Sequence, residues 1–506
     1  MALIYLFFAI AAILFYVSKK LGKGLPPGPT PIPLLGNALQ FIYGGLQGKT
    51  TVDVMREWTK KYGKVYTVWM GPMPIVLICD YQITMDAFVK NGEAHAGRTQ
   101  DFVFTETREG YNGVVFNDGI EWQEQRRFSL HTLRNFGVGR NIMQAKILEE
   151  AQHRFDVLDA QIEANNGRVV MNPSPFFDLM IGSIVNKLLA GYRYDEKNMD
   201  EFFRFKHSID AAFGNFTMFD TAVLNKFTYN LPLFKQRWDF LCKPMLEVRS
   251  LMKRQIKERV DAVASGKHAL DLDSEGEDYI EAYLIEMEKR KQSGKMGSFH
   301  LEYLASNLMD LWMAGMETTI STLLWSFVFF VNHPETQEKV RDEVLSVTKG
   351  NRDVGLADKP SLPYTNAVIT EVLRCGNVLN FNLLHRTTTE TIVGDYFLPK
   401  GTIITSQQSV ILTWEEQFKE AQKFNPERYL DDNKLEKQVI SFGVGKRACL
   451  GESLARAELF LIISNFVQRY KISPADGVTP PSMEQLNGAS MTKRVIPFEV
   501  AVEKVI

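Results

Sequence analysis

Cysteine is scarce in this chain: four in 506 residues, at Cys79, Cys242, Cys375 and Cys449. None belongs to a C-x-x-C pair, which argues against a zinc ribbon or a thioredoxin-type site, and so sparse a set does not make a disulfide framework. A surplus of charge is also missing. Lys and Arg total 58 against 60 Asp and Glu, a net charge of −2, whereas general nucleic-acid binding needs a basic excess. No G-x-G-x-x-G follows a strand pattern and there is no P-loop, so no nucleotide domain is evident. No internal repeat is visible. The remaining composition, 45% hydrophobic and 23% charged, is that of a globular chain and excludes a disordered or collagenous one. The length allows several domains or one large one with a deep core. A cysteine that matters in such a chain matters alone, as a nucleophile or as a single metal ligand.

Residues 2–17 are unbroken apolar sequence, followed by Lys19, Lys20 and Lys23. Extended to Leu21, the run reaches the roughly 20 residues of a spanning helix. The lysines on its C-terminal side predict that the rest of the chain stays cytoplasmic. A cleaved signal peptide would carry charge before the run and a small-residue cleavage site after it, and neither is clear. Pro26, Pro27, Pro29, Pro31 and Pro33 then stiffen the backbone, which reads as a spacer over 22–37 holding a body off the membrane.

Residues 51–62 carry a helical pattern, and 64–70 and 74–79 read as two strands around Gly71-Pro72. Helical periodicity dominates from about 120 to 350, and strand-like segments return at 385–410 and 494–505. The charged stretch 265–298 reads as a solvated helix and loop. Residues 301–331 are apolar on nearly every side but are broken by Asp310 and Glu317, which fits a central buried helix better than a second membrane span. The expected fold is one mostly α-helical domain with minor β-sheets over 38–506.

The sharpest local signal is the run from Phe442 to Gly451 around Cys449. Gly443 and Gly445 before the cysteine and Gly451 after it permit tight turns, and the sequence turns helical after Gly451. A cysteine just before a helix N-terminus, with Lys446 and Arg447 nearby, is favoured as thiolate. A lone stabilised thiolate suits axial ligation of haem iron.

The pattern F-x-x-G-x-R-x-C-x-G is met by Phe442, Gly445, Arg447, Cys449 and Gly451, and the chain resembles a cytochrome P-450, a haem-thiolate monooxygenase, over essentially its whole length. The resemblance implies haem b (iron protoporphyrin IX) held by Cys449. It implies that Glu371 and Arg374 (E-x-x-R) interlock with Arg428 of the F-N-P-E-R-Y segment, as structural residues fixing the cysteine loop; Tyr429 stands where the family has Phe. Ala314-Gly315-Met316-Glu317-Thr318 resembles the oxygen-binding motif. There the small residues let a ligand approach the helix, and Thr318 with Glu317 would relay protons. Trp122 and Arg126 match W-x-x-x-R and, with Arg447, Arg98 and His385, are candidate partners of the haem propionates. The segment before His385 reads N-F-N-L-L-H and lacks the usual proline.

Segments that line the family's pocket are apolar here: Phe102 to Phe104, Val114 to Phe116, Phe213, Phe216, Phe219, Leu311 to Ala314, Leu379, Phe381 and Ala489 to Met491. They suit a lipophilic substrate, a xenobiotic, fatty acid, eicosanoid or steroid. Electrons would come from an NADPH-dependent reductase, with cytochrome b5 as a further donor, steered to Arg126, Arg127, Arg134, Arg140 and Lys446. The resemblance is to animal microsomal members, which implies an endoplasmic reticulum membrane with the catalytic domain on the cytoplasmic face. A same-fold enzyme that rearranges a peroxide without O2 usually lacks the acid–alcohol pair, and a haem sensor would bind oxygen without forming product.

Overall fold

The structure, a computed structural model, describes residues 24–136, 141–195, 197–432 and 434–506. The expected membrane segment at 1–21 and Arg140 lie outside the described residues.

The described chain is mostly helical, with ten short strands. The helix Thr51–Tyr62 is started by a capping box: Thr50 Oγ1 accepts from the Asp53 amide and the Asp53 carboxylate accepts from the Thr50 amide. The helix Leu301–Asn332 runs through the middle of the molecule. Apolar side chains cover most of its circumference, so it needs protein around most of its length. The helices Ser174–Ala190, Pro232–Ala264, Pro363–Gly376 and Glu452–Arg469 pack around it. It passes the length and composition test for a membrane span, but 72% of its apolar stretch is buried within the protein. It is therefore a core helix.

The strands are β1 (Val65–Met70), β2 (Met73–Ile78), β3 (Gly97–Arg98), β4 (Arg168–Met171), β5 (His385–Arg386), β6 (Thr391–Val393), β7 (Tyr396–Leu398), β8 (Ile403–Ser406), β9 (Tyr470–Pro474) and β10 (Val500–Lys504). They form a five-stranded sheet in the order β1-β2-β8-β5-β3, a three-stranded sheet β4-β10-β9 and a hairpin β6-β7. In the first sheet β8 runs parallel to β2, while β3 and β5 pair antiparallel with Arg98 opposite His385. This sheet carries two of the predicted site residues to one place.

Two expectations change. The proline-rich segment does not stand off as a spacer from residue 24 on. The Thr67 amide and hydroxyl donate to the Pro27 and Pro26 carbonyls, and the Asn37 side chain donates to the Pro29 and Thr30 carbonyls. Prolines lack donors but keep their acceptors, so the segment docks along β1. The stretch 265–298 is not simply solvated. Its helix, Tyr279–Gln292, buries Tyr279, Ile280, Tyr283, Leu284 and Ile285, and only its later part is charged and exposed.

Candidate functional site

The Cys449 loop is built by its backbone. The Cys449 amide donates to the Phe442 carbonyl at 2.8 Å, closing the loop, and residues 445–447 form a single 3-10 turn. Gly445 has φ +76° and lies so close to the Phe88 carbonyl that a Cβ would overlap it. Only glycine fits there. The helix Glu452–Arg469 starts directly after Gly451, and Arg456 stacks on the Phe442 ring at 4.8 Å. Protein surrounds the Cys449 thiol closely enough that burial pushes its pKa up, while the Gly451 and Glu452 amides and the Arg126 guanidinium pull it down. Yet the residue keeps accessible surface. A side chain both deeply placed and accessible faces an internal space.

The central helix has an accessible stripe as well. Leu311, Ala314, Gly315 and Thr318 keep accessible surface while Met309, Asp310, Trp312, Met313, Met316 and Glu317 are buried. The spacing i, i+3, i+4, i+7 is one helix face. The Thr318 hydroxyl donates to the Ala314 carbonyl at 2.8 Å. The next residue, Thr319, donates to Glu458 on the helix that follows the cysteine loop. Ala314 is open on this face. Gly315 is small for a different reason than expected: its missing Cβ is where Val185 of the neighbouring helix packs, at 3.2 Å.

Beside the loop, cations converge. Arg98 donates to the Val115, Leu383 and Leu384 carbonyls. Arg126 donates to the Ala448 carbonyl at 2.5 Å and Arg447 Nε to the Ala96 carbonyl at 2.8 Å. His385 Nδ1 is bonded to the His95 carbonyl. Burial and mutual repulsion lower the pKa of Arg98 to about 10 and of Arg447 to about 8. Burial and the Arg98 charge hold His385 neutral, well below its ordinary value. Asp118 is the anion acting on Arg98 and Arg447. Arg447 Nη1 and Nη2 are buried and have no hydrogen-bond partner among the described residues. Such a surplus of buried positive charge with unspent donors fits a group carrying two carboxylates, beside a thiol that can ligate iron. The residues present therefore fit haem.

Trp122 enters differently from the expectation. Its indole N–H is spent on the Val114 carbonyl at 3.1 Å. The ring is instead a platform, with the Arg447 guanidinium 3.4 Å from its centroid.

Behind the loop, Glu371 is fully buried and fully used. Arg374 donates to both its oxygens at 2.8 and 2.7 Å, Arg428 at 3.2 Å, Tyr429 at 2.7 Å and the Asn425 amide at 2.9 Å. Burial works against the charge, but these donors hold the carboxylate below its usual pKa. Tyr429, which departs from the family's Phe, adds one donor. Arg374 Nη1 also binds the Leu412 and Ala421 carbonyls. Ser441 ties the loop to the Leu373 carbonyl. Where the proline is missing, Asn380 bonds Gln485 and the Ser490 carbonyl, and Asn382 bonds Ser406. Asparagine side chains supply the order that proline would have supplied.

Glu317 is the largest departure. Its carboxylate does not point along the accessible stripe. It is bonded to Arg494 and lies 3.2 Å from Lys206. Neither partner was legible in the motif. A carboxylate inside an apolar helix demands a partner, but nothing local names it. Among the basic surface residues, Arg127 and Arg134 are exposed, whereas Lys446 is paired with Glu93.

A family model described as Cytochrome P450 matches residues 26–500. The chain is 37% identical over 487 residues to probable cytochrome P450 cyp-35D1 of Caenorhabditis elegans, covering 95% of each chain. It is 32% identical over 496 residues to cytochrome P450 2B19 of Mus musculus, covering 96% of each. It is 33% identical over 505 residues to cytochrome P450 2B15 of Rattus norvegicus, covering 98% of this chain and 97% of the other.

Proposed function

We propose, from the premise that this chain belongs to the cytochrome P450 family, that it oxygenates lipophilic compounds at a membrane with electrons from an NADPH-dependent reductase. Membership makes it a haem-dependent monooxygenase, an oxidoreductase that incorporates molecular oxygen. Bound haem supplies the iron at which O2 is reduced and cleaved, with thiolate pushing electron density toward O–O cleavage.

The chain's own residues have these proposed roles. Cys449 Sγ would hold the haem iron, and the loop closed by the Phe442 carbonyl keeps the thiol in place. Arg98, Arg126 and Arg447 receive the propionates, with neutral His385 as a hydrogen-bonding partner and Trp122 as the platform that fixes Arg447. Glu371, Arg374 and Arg428 clamp the segment behind the loop. Thr318 holds a proton at its Oγ1 on the accessible stripe, and Glu317 supplies it. The observation that carries this reading is the accessible Cys449 amid buried, unneutralised arginines, with the accessible stripe of the central helix nearby.

The substrate side is apolar. Phe104 and Phe116 stack at 3.7 Å, Phe104 also meets Phe216, and Met491 packs with the cluster around Phe216. Such walls take a lipophilic xenobiotic, fatty acid, eicosanoid or steroid. The reductase, and cytochrome b5 with it, would dock on the face bearing Arg127 and Arg134. The lysine-flanked run at 2–17 supports an anchor in the endoplasmic reticulum membrane, the body on the cytoplasmic side.

The test is the spectrum of the reduced, carbon-monoxide-bound protein. A red-shifted, thiolate-type Soret band is expected, and it disappears in Cys449→His. A histidine-type spectrum in the wild type would overturn the assignment of Cys449.

A further inference from the structure

The helix Phe102–Thr107 starts after Asp101, a residue type that usually caps a helix by accepting from its first amides. Here the Asp101 side chain makes no capping hydrogen bond. The residue is fixed through its backbone instead, its carbonyl accepting from the Thr105 amide and hydroxyl at 3.0 Å each. Its carboxylate is left to the cleft it borders, which is walled by Phe104, Phe116, Leu383, Leu384 and Met491. Phe104, Phe116 and Met491 belong to the apolar substrate side described above.

This half-buried carboxylate is poorly served. Its one side-chain hydrogen-bond partner among the described residues is the Thr99 hydroxyl, 2.6 Å from Oδ2. Burial raises its pKa, and that hydroxyl opposes the rise. Elsewhere the buried carboxylates Asp310, Asp220 and Glu317 each have an arginine, respectively Arg108, Arg237 and Arg494. Asp101 has no such cation among the described residues. Arg98 lines the same cleft but turns its Nε and Nη1 to the Val115, Leu383 and Leu384 carbonyls. A carboxylate drawn out of water without a cation is costly to keep, so the partner that fits it comes with a ligand.

We propose that Asp101 determines specificity by selecting lipophilic substrates that carry a protonated amine. The ammonium N–H donates to the Asp101 oxygen that Thr99 leaves open, and the apolar body of the substrate lies against Phe104, Phe116 and Met491. Such a charge-assisted hydrogen bond is roughly twice as strong as a neutral one. A fatty-acid carboxylate is repelled from the same position, so one charge separates compounds that the apolar walls alone would accept together. The step is binding only: the ammonium and the carboxylate keep their charges. The inference narrows the lipophilic-substrate reading above and rests on it.

The test measures binding and turnover separately on the full-length, haem-loaded chain. The probes are N,N-dimethyl-4-phenylbutylamine, protonated at neutral pH, and its uncharged isostere (5-methylhexyl)benzene. In equilibrium dialysis Asp101→Asn is expected to weaken binding of the amine roughly tenfold relative to its effect on the hydrocarbon. Asp101→Glu restores the preference. Equal changes for both probes would mean that packing and not charge was lost, and they overturn the inference, as does an unchanged affinity for the amine. Should Asp101→Asn fail to take up haem, Asp101→Ser, whose hydroxyl can cap the helix, is read in the same way. If the wild type with its reductase oxidises both probes but Asp101→Asn leaves their relative affinity unchanged, the lipophilic-substrate reading stands and the Asp101 role falls. If neither probe is bound or oxidised, that reading fails and the Asp101 role falls with it.

Discussion

Glu458 is a fully buried carboxyl whose one hydrogen-bond partner among the described residues is the Thr319 hydroxyl, at 3.4 Å. Its other oxygen has no hydrogen-bond partner among the described residues, and burial raises its pKa to about 8. The folded state therefore holds this proton more tightly than the unfolded chain, where the group titrates near its ordinary value. Between about pH 4.5 and 8 the native protein binds more protons than the unfolded one, so the contribution of Glu458 to stability falls as pH rises. Glu458→Gln keeps a neutral group of the same shape. Its Tm relative to the wild type is expected to rise by about 2–4 °C between pH 5 and 8. A constant difference across that range would mean that the carboxyl is not held protonated. Little of this could be read beforehand. Glu458 sits in an ordinary helical run, and only the arrival of the central helix over it makes it buried. Glu371, Arg374 and Arg428 were legible because their spacing is a known pattern. The extra donor from Tyr429 was visible only as a departure from that pattern.

The segment from the helix Phe102–Thr107 to Asp118 meets the central helix in a buried ion pair, beside hydrogen bonds from Asn117 to the Tyr303 hydroxyl and from Ser306 to the Arg108 carbonyl. Arg108 reaches Asp310 through Nε at 2.9 Å and Nη2 at 2.5 Å, and the Val115 amide donates to the other Asp310 oxygen at 3.0 Å. Both side chains are almost wholly buried. Arg108 also lies over the Phe116 ring at 4.4 Å, so the pair and the Phe104–Phe116 stack form one unit along the substrate wall. Asp310→Ala leaves the guanidinium buried without its partner, which costs about 3–5 kcal/mol. Amide hydrogen exchange at residues 102–116 is expected to accelerate in this variant and to recover in part in the double variant Arg108→Met/Asp310→Leu, which removes both charges. Unchanged exchange would show that the aromatic stack and the remaining hydrogen bonds hold the segment without the ion pair. At this scale the sequence was informative about elements and silent about pairings. The helix Thr51–Tyr62, β1, β2 and the central helix lie close to where the sequence pattern puts them. Asp310 was conspicuous as a charge in an apolar helix, but its partner is some two hundred residues away and no local rule selects it. Lys206 and Arg494, the partners of Glu317, were hidden in the same way.

The whole molecule has one side that water does not suit. The helix Ala38–Leu46 exposes Leu39, Ile42, Tyr43 and Leu46, and the connection before Pro232–Ala264 exposes Phe227 and Leu231, with Leu233 just beyond. The two are neighbours, because Phe41 meets the Phe219 ring at 6.0 Å and Gly71 beside them approaches Ala222. The described chain begins at residue 24 and docks along β1 up to Asn37, so the apolar run at 2–17 joins a body whose nearby surface is itself apolar. A scattered exposed leucine needs no explanation, but a contiguous group does. A bilayer reached by both the run and this face would bury Leu46 and Leu233, each 82% exposed in the free protein. Burying a leucine side chain is worth about 1.5–3 kcal/mol, and 1.4 kcal/mol is a factor of ten in binding. The chain lacking residues 1–23 is therefore expected to keep measurable affinity for lipid vesicles in a sedimentation assay. Leu46→Ser and Leu233→Ser should each lower it by about tenfold, with haem content and the carbon monoxide spectrum unchanged. The exposed Lys434→Ser, outside the apolar group, controls for a general surface effect. If the two leucine variants sediment like the parent, the apolar side does not face lipid.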